Sequence, residues 1–277
     1  MTSSIAWVGA DSRGPASLYL ASDSRITWDG EPQRWNLGRK LFASRTTPDI
    51  FGYVGQVEFS LHLVGRLVDG LESGVVPANP YDASRRCVII QRQLEEAFLQ
   101  LPITQQRYTL ILYGAREGHG MTCSFRLWKV ELSRTGCIVT SLDIPTTSSV
   151  LVVEGSGAPA MEPWQLRWER TSQGGTSRAV FSAFCDALAE GRDSHSGGAP
   201  QLVGLYRVGP GHTFGLIHEG KAWFNGGLVD REVALGAHDI EWRNRLLERC
   251  NGDGTPFEDA QRHHAPKGLG GRGKMRG

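Results

Sequence analysis

The chain begins MTSSIAWVG (residues 1–9): a start methionine, three small hydroxylated residues and then an apolar run. A buried strand starting this early leaves Thr2 no loop in which to move. If Met1 is removed, as a small second residue permits, Thr2 carries a free α-amine beside its hydroxyl. Nucleophile and base then sit on one residue, because an α-amine of intrinsic pKa about 7.7–8.0 can take the hydroxyl proton near neutrality. Only Met1 precedes Thr2 in the sequence, so exposure of the amine is expected to rest on methionine removal alone. Ser3 competes as nucleophile only if processing goes one residue further.

Outward from this start, SIAWVG (4–9) and SLYLAS (17–22) flank the turn-forming ADSRGPA and read as a hairpin. RKLFAS (39–44) and DIFGYV (49–54) read as a second pair. The period then changes: Leu61, Val64, Val68 and Leu71 recur at spacings of three and four, which predicts an amphipathic helix ending near Gly74. Cys87, Ile90, Leu94, Ala97 and Leu101 predict another. Strands return in RYTLILYG, SFRLWKVEL, GCIVTSL and SSVLVVEG, followed by a helix over TSRAVFSAFCDALAEG with Thr176 or Ser177 as its cap and Val180, Phe184, Ala187 and Leu188 inward. QLVGLYRV and HTFGLIHEG are the last strands before AWFNGG. This order lacks the strict alternation of a parallel doubly wound sheet; it predicts an α+β fold of two antiparallel sheets with helices packed outside. One domain is expected over residues 1–250, with a flexible, basic, glycine-rich tail over 251–277.

Composition excludes more than it identifies. The 277 residues are 40% hydrophobic with a net charge of +1, so no overall field draws the chain to nucleic acid or membrane. No apolar run has the length of a membrane span and no secretory leader is evident, which makes the cytoplasm the expected compartment. The five cysteines lack CxxC spacing and read as reduced thiols, while His195, His212, His218, His263 and His264 form no recognised ligand spacing. No metal and no cofactor are expected.

Chemistry-bearing residues cluster in five short stretches. ASDSRIT (21–27) puts Asp23, Arg25 and Thr27 at the end of a buried segment; RKLF (39–42) puts Lys40 on the third strand; FGYVGQVEF (51–59) puts Gly55 just before the first helix. VVEGSGAPA (152–160) carries Ser156, and RDSHSGG (192–198) carries Asp193 and Ser196. Taken singly, Lys40 beside Arg39 also reads as one of two solvated charges on an edge strand, Gly55 as a helix-entry glycine and Ser156 as a turn residue.

Together and in this order, the five stretches resemble the proteasome β-subunit family and its bacterial relatives, with the SDSR form most similar to the bacterial ancestral β-subunit. The resemblance runs from Thr2 to about Phe224. It implies a four-layer αββα sandwich, the N-terminal nucleophile hydrolase fold, and a threonine-type peptidase working through an acyl-enzyme. It assigns Thr2 as nucleophile, Lys40 and Asp23 as its charged partners, the Gly55 amide as oxyanion donor, and Ser156, Asp193 and Ser196 as the group near the amine. By motif position, Ile26, Phe42, Tyr53 and Val57 would line the first specificity site, with Arg25 and Thr27 beside an extended peptide. That lining is uncharged and favours an apolar or small side chain. Peptide or unfolded protein is the implied substrate, and a homo-oligomeric ring or spiral, fed by a regulator or ATPase, the implied assembly. A non-catalytic ring subunit and a small-molecule amidase with the same nucleophile remain open. Pro159, Pro163, two tryptophans and a Gly-Gly pair between Ser156 and Thr176 depart from the family, which usually runs almost directly into a helix there.

Overall fold

The computed structural model describes residues 2–28, 31–77, 79 and 81–260. The chain runs β1 (Ser4–Asp11), β2 (Gly14–Ser22), β3 (Ile26–Thr27), β4 (Arg34–Trp35), β5 (Leu41–Ala43) and β6 (Asp49–Gly55), then α1 (Val57–Glu72) and α2 (Ala83–Leu99). There follow β7 (Thr109–Glu117), β8 (Ser124–Ser133), β9 (Gly136–Leu142), β10 (Ser149–Glu154), α3 (Ala158–Glu169), α4 (Ser177–Glu190) and β11 (Gln201–Tyr206). The last part holds β12 (His212–Thr213), β13 (Gly215–His218), β14 (Lys221–Phe224), β15 (Gly227–Val229), α5 (Arg231–Gly236), β16 (Trp242–Arg243) and β17 (Arg249–Cys250).

Two antiparallel sheets carry the fold, one in the order β10-β1-β2-β11-β12 and one in the order β5-β6-β7-β8-β9. Alternation along each strand sorts the side chains. Ala6, Leu18, Leu20, Val203 and Leu205 of the first sheet meet Ile50, Val54, Leu110, Leu112 and Leu127 of the second in one apolar cluster. The intervening residues point the other way. Ile5, Trp7, Tyr19 and Leu202 pack on Met161, Phe181 and Phe184 of α3 and α4. Phe51, Tyr53, Ile111, Tyr113 and Trp128 pack on Leu63, Val64, Leu67, Ile90 and Leu94 of α1 and α2. Among the described residues no helix is long and apolar enough to cross a membrane.

Several local expectations change. Leu61 is exposed: the inward stripe of α1 is Phe59, Leu63, Val64, Leu67, Val68 and Leu71, and Leu61, three residues before Val64, falls on its solvent flank. On α2, Phe98 joins the buried face, while Ala97 and Leu101 are only partly covered. A helix, α3, occupies the proline-containing stretch after Ser156. Pro159 sits in its first turn, where an N–H has no intrahelical partner to lose, although Pro163 lies in the interior. Tertiary packing outweighs that local cost: Trp168 Nε1 donates to Asp186 of α4 at 2.8 Å, and Trp164 Nε1 to Glu190 at 2.7 Å. Thr176 is the N-cap of α4, accepting from the Ala179 amide at 3.3 Å.

Beyond β12 the chain forms a third sheet, β15-β14-β13-β16-β17, in which β13 and β16 run parallel. Residues 251–260 close onto it through a bridge between Cys250 and Pro256 and a bond from the Phe257 amide to the Arg249 carbonyl, 3.3 Å long. The rest of the predicted tail, residues 261–277, lies outside the described residues.

One buried charge ties the α1–α2 layer to its sheet. Arg86 of α2 donates from Nε to Asp49 at 3.1 Å and from its NH2 nitrogen to the Arg116 carbonyl at 3.3 Å, while the Tyr113 hydroxyl donates to the same Asp49 oxygen at 2.6 Å. Burial, together with the Asp49 charge, pushes the Tyr113 hydroxyl well above its ordinary range. Arg86→Leu strands the Asp49 carboxylate in this setting. Urea unfolding is expected to register a loss of about 3–5 kcal/mol, and an unchanged midpoint would remove this ion pair from the account of stability.

Candidate active site

Four segments converge where β1 begins: residues 2–3, the turn after β2 at 23–25, the irregular strand-like segment 36–40 before β5, and residues 193–201 before and at the start of β11. Asp23 is at their centre and fully buried. Its Oδ1 accepts from Lys40 Nζ at 2.7 Å and from the Ser3 amide at 3.0 Å; its Oδ2 accepts from the Arg25 amide at 3.1 Å and the Gly197 amide at 2.9 Å. An ionised carboxylate has room for about four such donors, so the charge is fully satisfied without water.

Lys40 is the second buried charge and is equally inaccessible. Besides Asp23, its ammonium donates to Thr2 Oγ1 at 3.1 Å. That occupies a lone pair of the threonine oxygen and leaves its proton free to be given to a base. Burial pulls the Lys40 ammonium below its usual pKa, and the Asp23 charge works against that shift. The alternative reading of Lys40 as a solvated edge charge is therefore excluded by its position.

Beside this pair lies a chain of hydroxyls. Ser156 Oγ donates to Asp193 Oδ2 at 2.7 Å, Ser196 Oγ to the same oxygen at 2.6 Å, and Ser3 Oγ to Ser196 Oγ at 2.8 Å. The His195 amide closes on Asp193 Oδ1 at 3.0 Å. Burial alone would raise the Asp193 pKa, but the Ser196 and Ser156 hydroxyls and the His195 amide outweigh it and hold the carboxyl below its ordinary value. Both serine hydroxyl protons point at Asp193, which turns the serine lone pairs outward as acceptors.

The GSG turn explains why the two groups can touch. A Cβ on Gly155, whose φ is +92°, would stand 1.9 Å from the Thr2 carbonyl oxygen, and one on Gly157 would stand 1.7 Å from Ser3 Oγ. Gly55, at the end of β6, is fixed for a similar reason: its φ is +108° and a Cβ would meet the Tyr108 carbonyl at 2.5 Å.

The residues expected to contact substrate divide into groups. Phe42, Tyr53 and Val57 share one apolar cluster, with the Arg39 guanidinium 4.0 Å above the Phe42 ring and the Tyr53 hydroxyl donating to the Arg39 carbonyl at 2.9 Å. Ile26 and Thr27 form β3, paired with Trp35 and Arg34, and the Ile26 side chain lies against Gly38. Arg25 is engaged within the scaffold, donating to Asn36 Oδ1 at 2.8 Å and to the Ser194 carbonyl at 3.1 Å. Sequence reasoning did not single out Ser3 as part of the hydroxyl chain, nor Ser24 and Gln201, which knit the same segments; the only signal was a polar residue opening the apolar run QLVGLY. A cavity of about 740 Å³ lined by Tyr206, His212, Trp242, Arg243 and Phe257 lies apart, against the third sheet. Among the described residues no group of three or more His, Cys, Asp or Glu side chains is placed to hold a metal.

Two outcomes follow for stability. Gly155→Ala drives its Cβ into the Thr2 backbone at a left-handed position and is expected to cost about 1–3 kcal/mol in thermal or urea unfolding; wild-type stability would contradict the close approach. Asp193 has a lowered pKa in the folded state, so its stabilisation is complete above the ordinary carboxylate value of about 4 and is lost as pH falls through the lower folded value. Asp193→Asn should flatten that acid limb of the stability–pH curve, and an identical limb in both proteins would contradict the assignment.

No family model matches the sequence, and no curated protein matches it. Among solved structures the chain is similar to eukaryotic HslV from Trypanosoma brucei, at 14% identity over 73% of this chain and 99% of that one, with a TM-score of 0.45.

Proposed function

We propose that the chain is a threonine-type endopeptidase of the N-terminal nucleophile hydrolase class, built as a four-layer αββα sandwich and related to the proteasome β-subunits, nearest in motif to the bacterial ancestral β-subunit. The observation that carries this reading is the buried Lys40 ammonium shared between Thr2 Oγ1 at 3.1 Å and Asp23 at 2.7 Å. A buried cation against a hydroxyl lowers the cost of forming an alkoxide at that oxygen.

With Met1 removed, the Thr2 α-amine, kept neutral by the neighbouring Lys40 charge, takes the hydroxyl proton directly or through a water. The Thr2 oxygen attacks the peptide carbonyl, and the Gly55 amide stabilises the oxyanion. The amine passes its proton to the departing nitrogen as the C–N bond breaks, leaving an ester on Thr2. Water attacks that ester, its proton going to the amine, and the acid product leaves with the Thr2 hydroxyl restored. Ser156 and Ser196, their own protons committed to Asp193, accept hydrogen bonds from the amine and the water. Asp23 holds Lys40 charged and oriented. Ile26, Phe42, Tyr53 and Val57 are proposed by motif position for the first specificity site; Phe42 and Tyr53 are buried in the core under α1 and α2, with Arg39 over the Phe42 ring, so they shape that site from beneath. Peptide or unfolded protein in the cytoplasm is the proposed substrate and a homo-oligomeric ring or spiral the proposed assembly.

The decisive experiment is the intact mass of protein expressed with its native start, before and after an N-terminal-threonine-directed epoxyketone. Loss of Met1 and a single adduct mapping to Thr2 is expected; retained methionine and no adduct would overturn the reading. Thr2→Ala should abolish peptide hydrolysis with the fold intact, and Lys40→Met should lower the rate by about 10²-fold or more.

A further inference from the structure

The amide of Gln201 makes as many hydrogen-bond contacts at the site as the Asp23 carboxylate, and nothing in the chemistry above employs it. Gln201 opens β11 and is 3% exposed. Its Nε2 lies 3.0 Å from the Asp23 carbonyl, 2.9 Å from Ser24 Oγ and 2.8 Å from the Gly38 carbonyl, and its Oε1 accepts from the Lys40 amide at 3.0 Å. Ser24 spends its own proton on the Ala199 carbonyl at 2.6 Å, so its oxygen is free to accept.

These contacts complete a junction that backbone bonds leave partly open. Residues 23–25 follow β2 of the first sheet and residues 36–40 precede β5 of the second, and the short β3–β4 pair links their far ends. One backbone bond, from the Gly38 amide to the Ser24 carbonyl at 2.9 Å, joins them directly but leaves a gap between the Asp23 carbonyl and the Lys40 N–H. The Gln201 amide spans that gap, with one end on the Asp23 carbonyl and the other on the Lys40 N–H. A flexible lysine stem aims its ammonium only as well as its Cα is placed, and a misplacement of about 1 Å can cost about 10²-fold in rate.

We infer that Gln201 is a positioning residue for the Thr2 reaction, its buried side-chain amide setting the spacing of Asp23 and Lys40 across the junction of the two sheets. The inference rests on the threonine-hydrolase reading for its catalytic consequence, but not for the clamp itself. Only a terminal amide of this length brings two N–H donors, shared among the Asp23 carbonyl, Ser24 Oγ and the Gly38 carbonyl, together with an acceptor toward the Lys40 amide. Methionine fills the volume without either function, and asparagine keeps the chemistry but falls one methylene short.

The test uses full-length Gln201→Met and Gln201→Asn beside the wild type, with two readouts. The first is hydrogen exchange at the Lys40 amide, expected to accelerate in both variants while exchange in β1, β2 and β7 stays at the wild-type rate. The second is the rate constant for covalent adduct formation with the epoxyketone at saturating probe, expected to fall about 10²-fold in Gln201→Met with the final yield still one adduct per chain. A general loss of fold would instead lower the yield and accelerate exchange throughout; if Gln201→Met behaves so, Gln201→Asn decides by the same two measures. Faster Lys40 exchange with a saturating rate within twofold of wild type would overturn the positioning role. If the wild type takes no adduct, the threonine-hydrolase reading fails, and unchanged exchange at Lys40 in the variants would overturn the clamp as well.

Discussion

The buried pair of Asp23 and Lys40 is the constraint around which the surrounding segments are arranged. Two charges at 2.7 Å in a site closed to water are stable only if every remaining donor and acceptor is met. The fold meets this by sending four backbone segments to one point: the Ser3, Arg25 and Gly197 amides all turn toward the carboxylate. Each of these bonds also fixes a neighbouring segment of the cluster. Ser3 follows Thr2, Gly197 follows Ser196, and Arg25 anchors the loop of residues 194–197 through the Ser194 carbonyl. Solvating the ion pair and assembling the site are thus one structural operation.

The same economy accounts for the two polar networks lying side by side without merging. Lys40, a cation, faces the threonine oxygen, while the Asp193 charge is spent on serine hydroxyls and an amide. The Lys40 ammonium and the Asp193 carboxylate thus spend their hydrogen bonds on different partners. Had Asp193 paired with Lys40 directly, the ammonium would have been drawn from the hydroxyl it serves.

Much of this was legible in the sequence, for identifiable reasons. Strands such as SIAWVG and SLYLAS announce themselves through branched and aromatic residues, and α1, α2 and α4 through their apolar spacing. The short motifs around Asp23, Lys40, Ser156, Asp193 and Ser196 could be read only together and in order, through the family they resemble, since singly they have ordinary readings as turn residues or solvated charges. What stayed hidden depends on contacts that span the chain. Leu61 satisfies the spacing rule yet falls on the solvent flank, since periodicity fixes a stripe but not its width. The helix α3 was masked by Pro159 and Pro163, which local propensity counts against it and the packing on α4 overrides. Gln201 looks like any polar residue at a strand start; its partners lie 161–178 residues away. Of the third sheet only HTFGLIHEG, which contains β13, reads as a strand; the others, two to four residues long, offer too little period.

The place of β1 in its sheet also sets a timetable. One edge of β1 pairs with β2, only a turn away, but the other pairs Ser4 with Glu154, and the glycines that close over Thr2 and Ser3 are Gly155 and Gly157. A chain made from its N-terminus at about 5–20 residues per second therefore emerges with its first residues uncovered for roughly 8 to 30 seconds before their lid has been synthesised. During that interval the hairpin of β1 and β2 can form, yet the chain start remains open to a ribosome-associated aminopeptidase. On the proposed reading, removal of Met1 would be separated in time from closure over Thr2 by the order of residues along the chain.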